Sequence, residues 1–166
     1  MGDAGGGFWI GSRGISSVLK QLDGRGESTT LARHAEDRFG DLNNLAARIH
    51  GLDRPVNQIS QFARDVLSAA ANRDAVANSI VDQAAGELFE TARVGLHWVG
   101  SDATLALGGK LLAHDTLLFA RLAELLAAEG LSFRPADASA LDGALILGAG
   151  VHDSRYRNLI HLWKEE

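Results

Sequence analysis

Apolar residues recur at helical spacing along most of this 166-residue chain. Ile10, Ile15, Val18, Leu19 and Leu22 form one stripe and predict an amphipathic helix over 9–22. The DGRG tetrapeptide at 23–26 is a turn signal that ends it. Ser28 or Thr29 can cap a second helix over 30–39, stopped by Gly40, and a short helix follows over 41–50. Pro55 stands where a first helical turn tolerates it, so 56–71 is expected to be helical. After a break at 72–74, a longer helix is expected over 75–99. Its face carries Val81, Ala84, Ala85, Leu88, Ala92, Leu96 and Val99.

The period then changes. The apolar run 103–107, closed by Gly108 and Gly109, reads as a buried strand entering a tight turn. A helix is expected over 111–128, with Leu118, Leu122, Leu125 and Leu126 in the core, and a second short strand over 131–133. The small, apolar segment 140–150 is expected to be a helix packed closely on the sheet. The charged tail is expected to end as a helix docking Leu159, Ile160 and Trp163. Two short strands give five or six helices little sheet to pack on. Either something outside these residues completes the sheet, or the domain is helical with a vestigial sheet.

Composition narrows the class. Hydrophobic residues are 46% and charged residues 22%, ordinary for a globular domain. The formal net charge is −5, and Lys and Arg are scattered, so no nucleic-acid surface is expected. The absence of Cys excludes disulfides, thiol chemistry and Cys-held iron–sulfur clusters. No apolar run is long enough to span a bilayer and no signal peptide is visible, so a cytoplasmic location is expected. The six histidines lack metal-ligand spacing, and the acidic residues are dispersed. Neither a GxSxG elbow nor a Walker loop occurs.

Two glycine segments are candidates for chemistry. GDAGGG, ahead of Phe8 and Trp9, can hold an anion or sugar at a helix entrance, with Asp3 accepting from a hydroxyl; the other reading is a flexible terminus. Gly108-Gly109 after a strand can let a flat ligand approach the backbone; equally, the turn can simply need positive φ.

GDAGGGFWIG, DGRG, ALGGKLL (106–112) and GALIL (143–147), in that order, resemble the second half of sugar kinases of the N-acetylglucosamine kinase type. These belong to the actin-like ATPase superfamily, in the branch of the benzoyl-CoA reductase and 2-hydroxyacyl-CoA dehydratase activators. The resemblance implies a helix-rich α/β fold: the partial C-terminal lobe of an actin-like (ribonuclease H-like) ATPase with a truncated sheet. Residues 1–150 would form that lobe and 151–166 the tail. The implied activity is ATP-dependent phosphorylation of an amino sugar, with Mg²⁺ required. By resemblance, Asp3 is the sugar ligand, Gly108 and Gly109 border the nucleotide, and Ser60 approaches its adenosine side. Gly143 resembles the small-residue helix that closes the lobe. Ala4 and Gly6 depart from the family's GDEGS pattern, where Glu and Ser are usual.

The family's DGGGT-like phosphate loop, its catalytic Asp and its GTGS-like turn have no counterpart in these residues. The expectation is therefore a fragment without turnover, with Met1 an internal residue of a longer frame. The alternative is a non-catalytic assembly module that self-associates or pairs with an N-terminal lobe, burying a sheet edge and the Phe8/Trp9 face. An activator-type ATPase is disfavoured, because its iron–sulfur cluster needs Cys ligands.

Overall fold

The structure is a computed structural model and describes residues 3–100 and 103–149. Helix α1 (Gly7–Leu22) is followed by α2 (Leu31–Phe39), a 3-10 turn (Leu42–Asn44) and α3 (Leu45–His50). Helices α4 (Pro55–Ala71) and α5 (Ala75–Val99) come next. Strand β1 (Leu105–Leu107) leads through a 3-10 turn (Lys110–Leu112) to α6 (Leu117–Ala128). Strand β2 (Phe133–Pro135) and α7 (Ala140–Gly148) close the described chain. The two strands pair in parallel, with Leu105 opposite Phe133. The fold is thus helix-rich α/β with a truncated sheet.

Helices α1 and α4 pack at the centre of the fold. Ile10, Ile15 and Val18 of α1 meet Phe62, Ala63 and Val66 of α4 in a core that also takes Leu31, Ala35, Leu45, Val81 and Ala84. The close approach depends on Gly7, Gly11 and Gly14, which share one face of α1 at helical spacing. A Cβ on Gly11 would lie 1.9 Å from the carbonyl oxygen of Ile59. A Cβ on Gly14 would lie 2.6 Å from Cγ2 of Val66. Glycine inside a helix is unfavourable by about 1 kcal/mol against alanine, and backbone-to-backbone packing here offsets it.

A second apolar cluster, Leu107, Phe119, Leu122 and Leu126, ties β1 and α6 to α5. Leu88 and Leu112 pack against both clusters and mark the seam between them.

Several expectations change. Helix 111–128 is interrupted, because the Thr116 hydroxyl donates to the carbonyls of Leu111 and Ala113 and accepts from Phe119 N–H, starting a new helix at Leu117. Leu125, expected in the core, is exposed, as are Leu22 and Val99 at the ends of the apolar stripes of their helices. The segment at 140–150 is helical over Ala140–Gly148 but is not packed on the sheet. Leu141, Leu145, Ile146 and Leu147 are exposed, and no atom lies within 4 Å of a Cβ position on Gly143. Two three-residue strands offer too small a face to receive it. The helix is instead set by its own capping box: the Ser139 hydroxyl accepts from Asp142 N–H while the Asp142 carboxylate accepts from Ser139 N–H. The expected docking of Leu159, Ile160 and Trp163 lies outside the described residues. No helix among the described residues is long and apolar enough to cross a membrane.

Candidate functional site

The glycine segment forms an ordered turn from Asp3 onward. Gly6 N–H donates to the Asp3 carbonyl at 2.9 Å, and Ile10 N–H donates to the Gly6 carbonyl at 2.9 Å. Gly5 sits at φ +77, and a Cβ there would lie 2.6 Å from Cγ of Leu88 and 2.7 Å from the Ala84 carbonyl oxygen. Both conformation and space therefore require glycine at that position. The flexible-terminus reading does not hold for these residues: the turn is pressed onto α5 and launches α1.

At the other end of α1's first turn, Gly7 faces α4. Its Cβ position lies 3.4 Å from the Ser60 carbonyl oxygen and 3.4 Å from Cδ1 of Leu111. Leu111 belongs to the turn that follows Gly108 and Gly109. Three separate segments thus converge here: the turn at 5–7, the first turns of α4, and the link at 108–112.

Two adjoining cavities record the convergence. A cleft of 690 Å³ is bordered by Gly7, Arg54, Ser60, Arg64, Lys110 and Leu111. A smaller one of 240 Å³ lies between Gly5 and Gly6 on one side and Gly108 and Gly109 on the other. Lys110 and Leu111 line both. The larger volume is in the range of small-ligand sites.

Electrostatics give the larger cleft a sign. Arg54, Arg64 and Lys110 line it, and no carboxylate does. Arg54 is held only loosely, with Nε 3.8 Å from the carboxylate of Asp53 at the solvent surface. Among the described residues, Arg64 and Lys110 have no carboxylate within ion-pair distance. Asn57 and Gln61 add amides, joined by a hydrogen bond of 2.6 Å. The arrangement suits an anionic ligand with a flat or polar body.

The four residues singled out in the sequence separate into two groups. Ser60, Gly108 and Gly109 border the paired cavities. The Ser60 hydroxyl donates to the Val56 carbonyl at 2.8 Å, so it is left as an acceptor toward the cleft. Gly109 is at φ +100, so its turn does need glycine; the space beside it is also open, with nothing within 4 Å of a Cβ position. The positive φ fits the turn reading for Gly109; a Cβ on Gly108 would lie 3.2 Å from Cβ of Ala136. Asp3 is exposed and borders neither cavity. Its carboxylate Oδ1 lies 3.0 Å from where a Cβ of Gly6 would stand, so it folds back over its own turn.

Sequence reasoning missed Arg54, Arg64 and Lys110. A signal existed. Positions 54, 57, 61 and 64 are spaced three, four and three apart and are all polar, so they run along one side of α4. Each residue of this stripe is ordinary alone, and the stripe forms no motif.

No protein-family model matches the chain. Over 91 residues the chain is 34% identical to the N-acetylmuramic acid/N-acetylglucosamine kinase of Clostridium acetobutylicum. That match covers 54% of this chain and 30% of the relative. Its fold is similar to a crystal structure assigned to N-acetylglucosamine kinase from Chromobacterium violaceum, with a TM-score of 0.64 and 28% identity. That similarity takes in 87% of this chain and 47% of the neighbour, so the chain spans less than half the length of either relative. Helices, truncated sheet and sequence agree: the chain is N-acetylglucosamine-kinase-like.

Proposed function

We propose that these residues form the C-terminal-lobe wall of an ATP-dependent amino-sugar kinase, and that the cleft at Gly7, Ser60 and Lys110 receives the nucleotide. The observation that carries this reading is the convergence of Gly7, Ser60, Lys110 and Leu111 on one cation-lined cleft, with Gly5, Gly6, Gly108 and Gly109 around the adjoining smaller cavity that Lys110 and Leu111 also line. ATP fits the residues present: Arg54, Arg64 and Lys110 match phosphate charge, and the open space beside Gly109, in the adjoining cavity, admits a flat ring. When bound, ATP supplies the phosphoryl group that passes to a sugar hydroxyl.

The chain's own residues bind and orient. In this reading Lys110 and Arg64 hold phosphate oxygens, Ser60 accepts a hydrogen bond from the nucleoside side, and the turn at 5–7 sets the entrance. Asp3, exposed beside that entrance, accepts from a sugar hydroxyl once substrate is present. Among the described residues no group of three or more His, Asp or Glu is placed to hold a metal ion. Mg²⁺, which the resemblance implies, is not assigned to any of the described residues. A cytoplasmic location belongs to the same proposal.

Phosphoryl transfer needs charge around the moving group and an acceptor for the hydroxyl proton. The loop and the carboxylate that the resemblance assigns to those tasks have no counterpart here. The 166-residue chain is therefore expected to bind ATP without turning it over. The check is a coupled kinase assay with N-acetylglucosamine, alongside ATP titration by calorimetry. The expected results are no sugar phosphate and an ATP affinity weakened about tenfold or more by Lys110→Ala. Catalytic turnover by mass-verified protein would overturn the inactivity. Equal ATP affinity in both proteins would overturn the site.

A second reading, an assembly module, is favoured by exposed apolar surface on α7 and at the end of α5, where Trp98 is 83% exposed. The partner would be a second copy of the chain or a separate N-terminal lobe. Light scattering on the same preparation decides the homodimer, which a monomeric mass at high concentration would exclude.

A further inference from the structure

We infer that the groove between α1 and the start of α5 is a second anion site, built for a phosphate group and separate from the cleft at Ser60 and Lys110. Arg13 and Lys20 stand seven residues apart on α1 and so share a face, with Ser16 between them. The DGRG turn, which the nucleotide cleft does not use, places Arg25 over the same groove. That placement depends on Gly26. A Cβ there would lie 2.8 Å from Cβ of Lys20 and 3.1 Å from its carbonyl carbon. The turn can therefore lie flat on α1 only with glycine.

The opposite wall is α5. Gln83 donates its amide to the Ser79 Oγ at 3.1 Å, which uses the hydroxyl as acceptor and leaves its own O–H free to donate. Val76 and Ile80 supply the apolar part of that wall. The enclosed volume is 460 Å³, room for a phosphorylated hexose as well as for phosphate alone.

Charge determines what the groove takes. Three cations line it, and Glu27 is its one carboxylate. Arg25 is partnered by Asp23, but among the described residues Arg13 and Lys20 have no carboxylate within ion-pair distance. Arg13 lies instead over the Trp9 ring, 4.9 Å from its centroid, which fixes its guanidinium at the groove's edge. Asp74, near the start of α5, is taken up by Thr29, Thr30 and Ala77 and does not line the groove. A chain of net charge −5 thus gathers cations and free donors in this polar groove as well as in the cleft at Ser60 and Lys110. The free guanidinium of Arg13, the Lys20 ammonium and the Ser79 hydroxyl, with the remaining edge of Arg25, match the several oxygens of a phosphate dianion better than the two of a carboxylate.

The test is amide NMR on the full chain at low salt. It is titrated in turn with inorganic phosphate, a hexose 6-phosphate and the unphosphorylated hexose. Shifts are expected at Ser16, Lys20, Gly26, Val76 and Ser79 with both phosphates and not with the hexose. Tighter binding of the hexose phosphate would identify a small-molecule ligand, and equal binding free phosphate; either supports the site. Lys20→Glu, a surface change checked for an intact spectrum, is expected to weaken binding at least tenfold. Shifts confined to 54–64 and 108–111, no shifts at all, or unchanged affinity in Lys20→Glu would each overturn it.

Discussion

Gly11→Ala is expected to destabilise the chain by about 3 kcal/mol, the upper end for overpacking a closed core. The added methyl would lie 1.9 Å from the carbonyl oxygen of Ile59. That oxygen belongs to the backbone of α4, so no side-chain rotation relieves the clash. The helices must separate, and with them the packing of Ile10 against Phe62 and Val66. For a chain of this size the shift in Tm is roughly 6–12 °C downward. The internal control is Gly86→Ala. Gly86 is also inside a helix, but nothing lies within 4 Å of its Cβ position. That change is expected to stabilise by about 0.5–1 kcal/mol through helix propensity. Thermal or urea unfolding of both variants reads the contrast; similar Tm values would mean that α1 and α4 do not pack as described. Gly7 lies on the same face, so Gly11→Ala is also expected to displace the Gly7 turn from Ser60 and weaken nucleotide binding.

The second large effect is at Asp74. Its carboxylate caps α5 by accepting from Ala77 N–H at 2.9 Å. It also accepts from the Thr29 hydroxyl, from Thr30 N–H and from the Thr30 hydroxyl, at 2.6–3.0 Å. One side chain therefore ties the start of α2 to the start of α5. Asp74→Ala is expected to destabilise by about 2 kcal/mol, the upper range for a lost cap, because Thr29 is buried and loses its partner as well. Burial pushes the Asp74 pKa up, but the donors from Ala77, Thr30 and Thr29 outweigh it and hold the carboxyl below its ordinary value. The sign follows from linkage. A depressed pKa stabilises the fold above the unfolded value of about 3.9, and that stability is lost as pH falls through the folded pKa. Urea midpoints measured between pH 7 and pH 3 should therefore converge for wild type and Asp74→Asn toward the acid end. Parallel curves would assign the acid sensitivity elsewhere.

Most elements were legible because each carries its own local signal. The stripe of Ile10, Ile15 and Val18 is buried as the period requires, and α5 runs over Ala75–Val99 as its period implies. Failures occur where tertiary geometry decides. The helix at 140–148 has an apolar composition that asks for cover, yet composition cannot report that the sheet beside it has two strands. Leu125 shares the period of Leu118 and Leu122 but falls at the edge of the α5–α6 contact. The packing role of glycines 7, 11 and 14 has no local signal, since periodicity does not reveal the carbonyl of Ile59 against Gly11 or Val66 against Gly14.

For the candidate site, the glycine segments are visible in the local pattern and Ser60 only through a resemblance; Ser60 borders the larger cleft, and Gly108 and Gly109 border the smaller cavity beside it. The cations that give the larger cleft its sign leave no motif, because Arg54 precedes α4, Arg64 lies on it, and Lys110 comes from a turn 46 residues after Arg64 in the chain. Contacts at that separation leave no trace in local periodicity.

The most direct test of the nucleotide wall is amide NMR of the 166-residue chain titrated with ATP. The expected result is a single set of saturable shifts at Gly7, Asn57, Ser60, Arg64 and the residues 108–111, which adenosine reproduces only in part because it lacks the phosphates. Absence of saturable shifts, or shifts that leave Ser60 and Gly108 unmoved, would contradict the nucleotide site proposed for this chain.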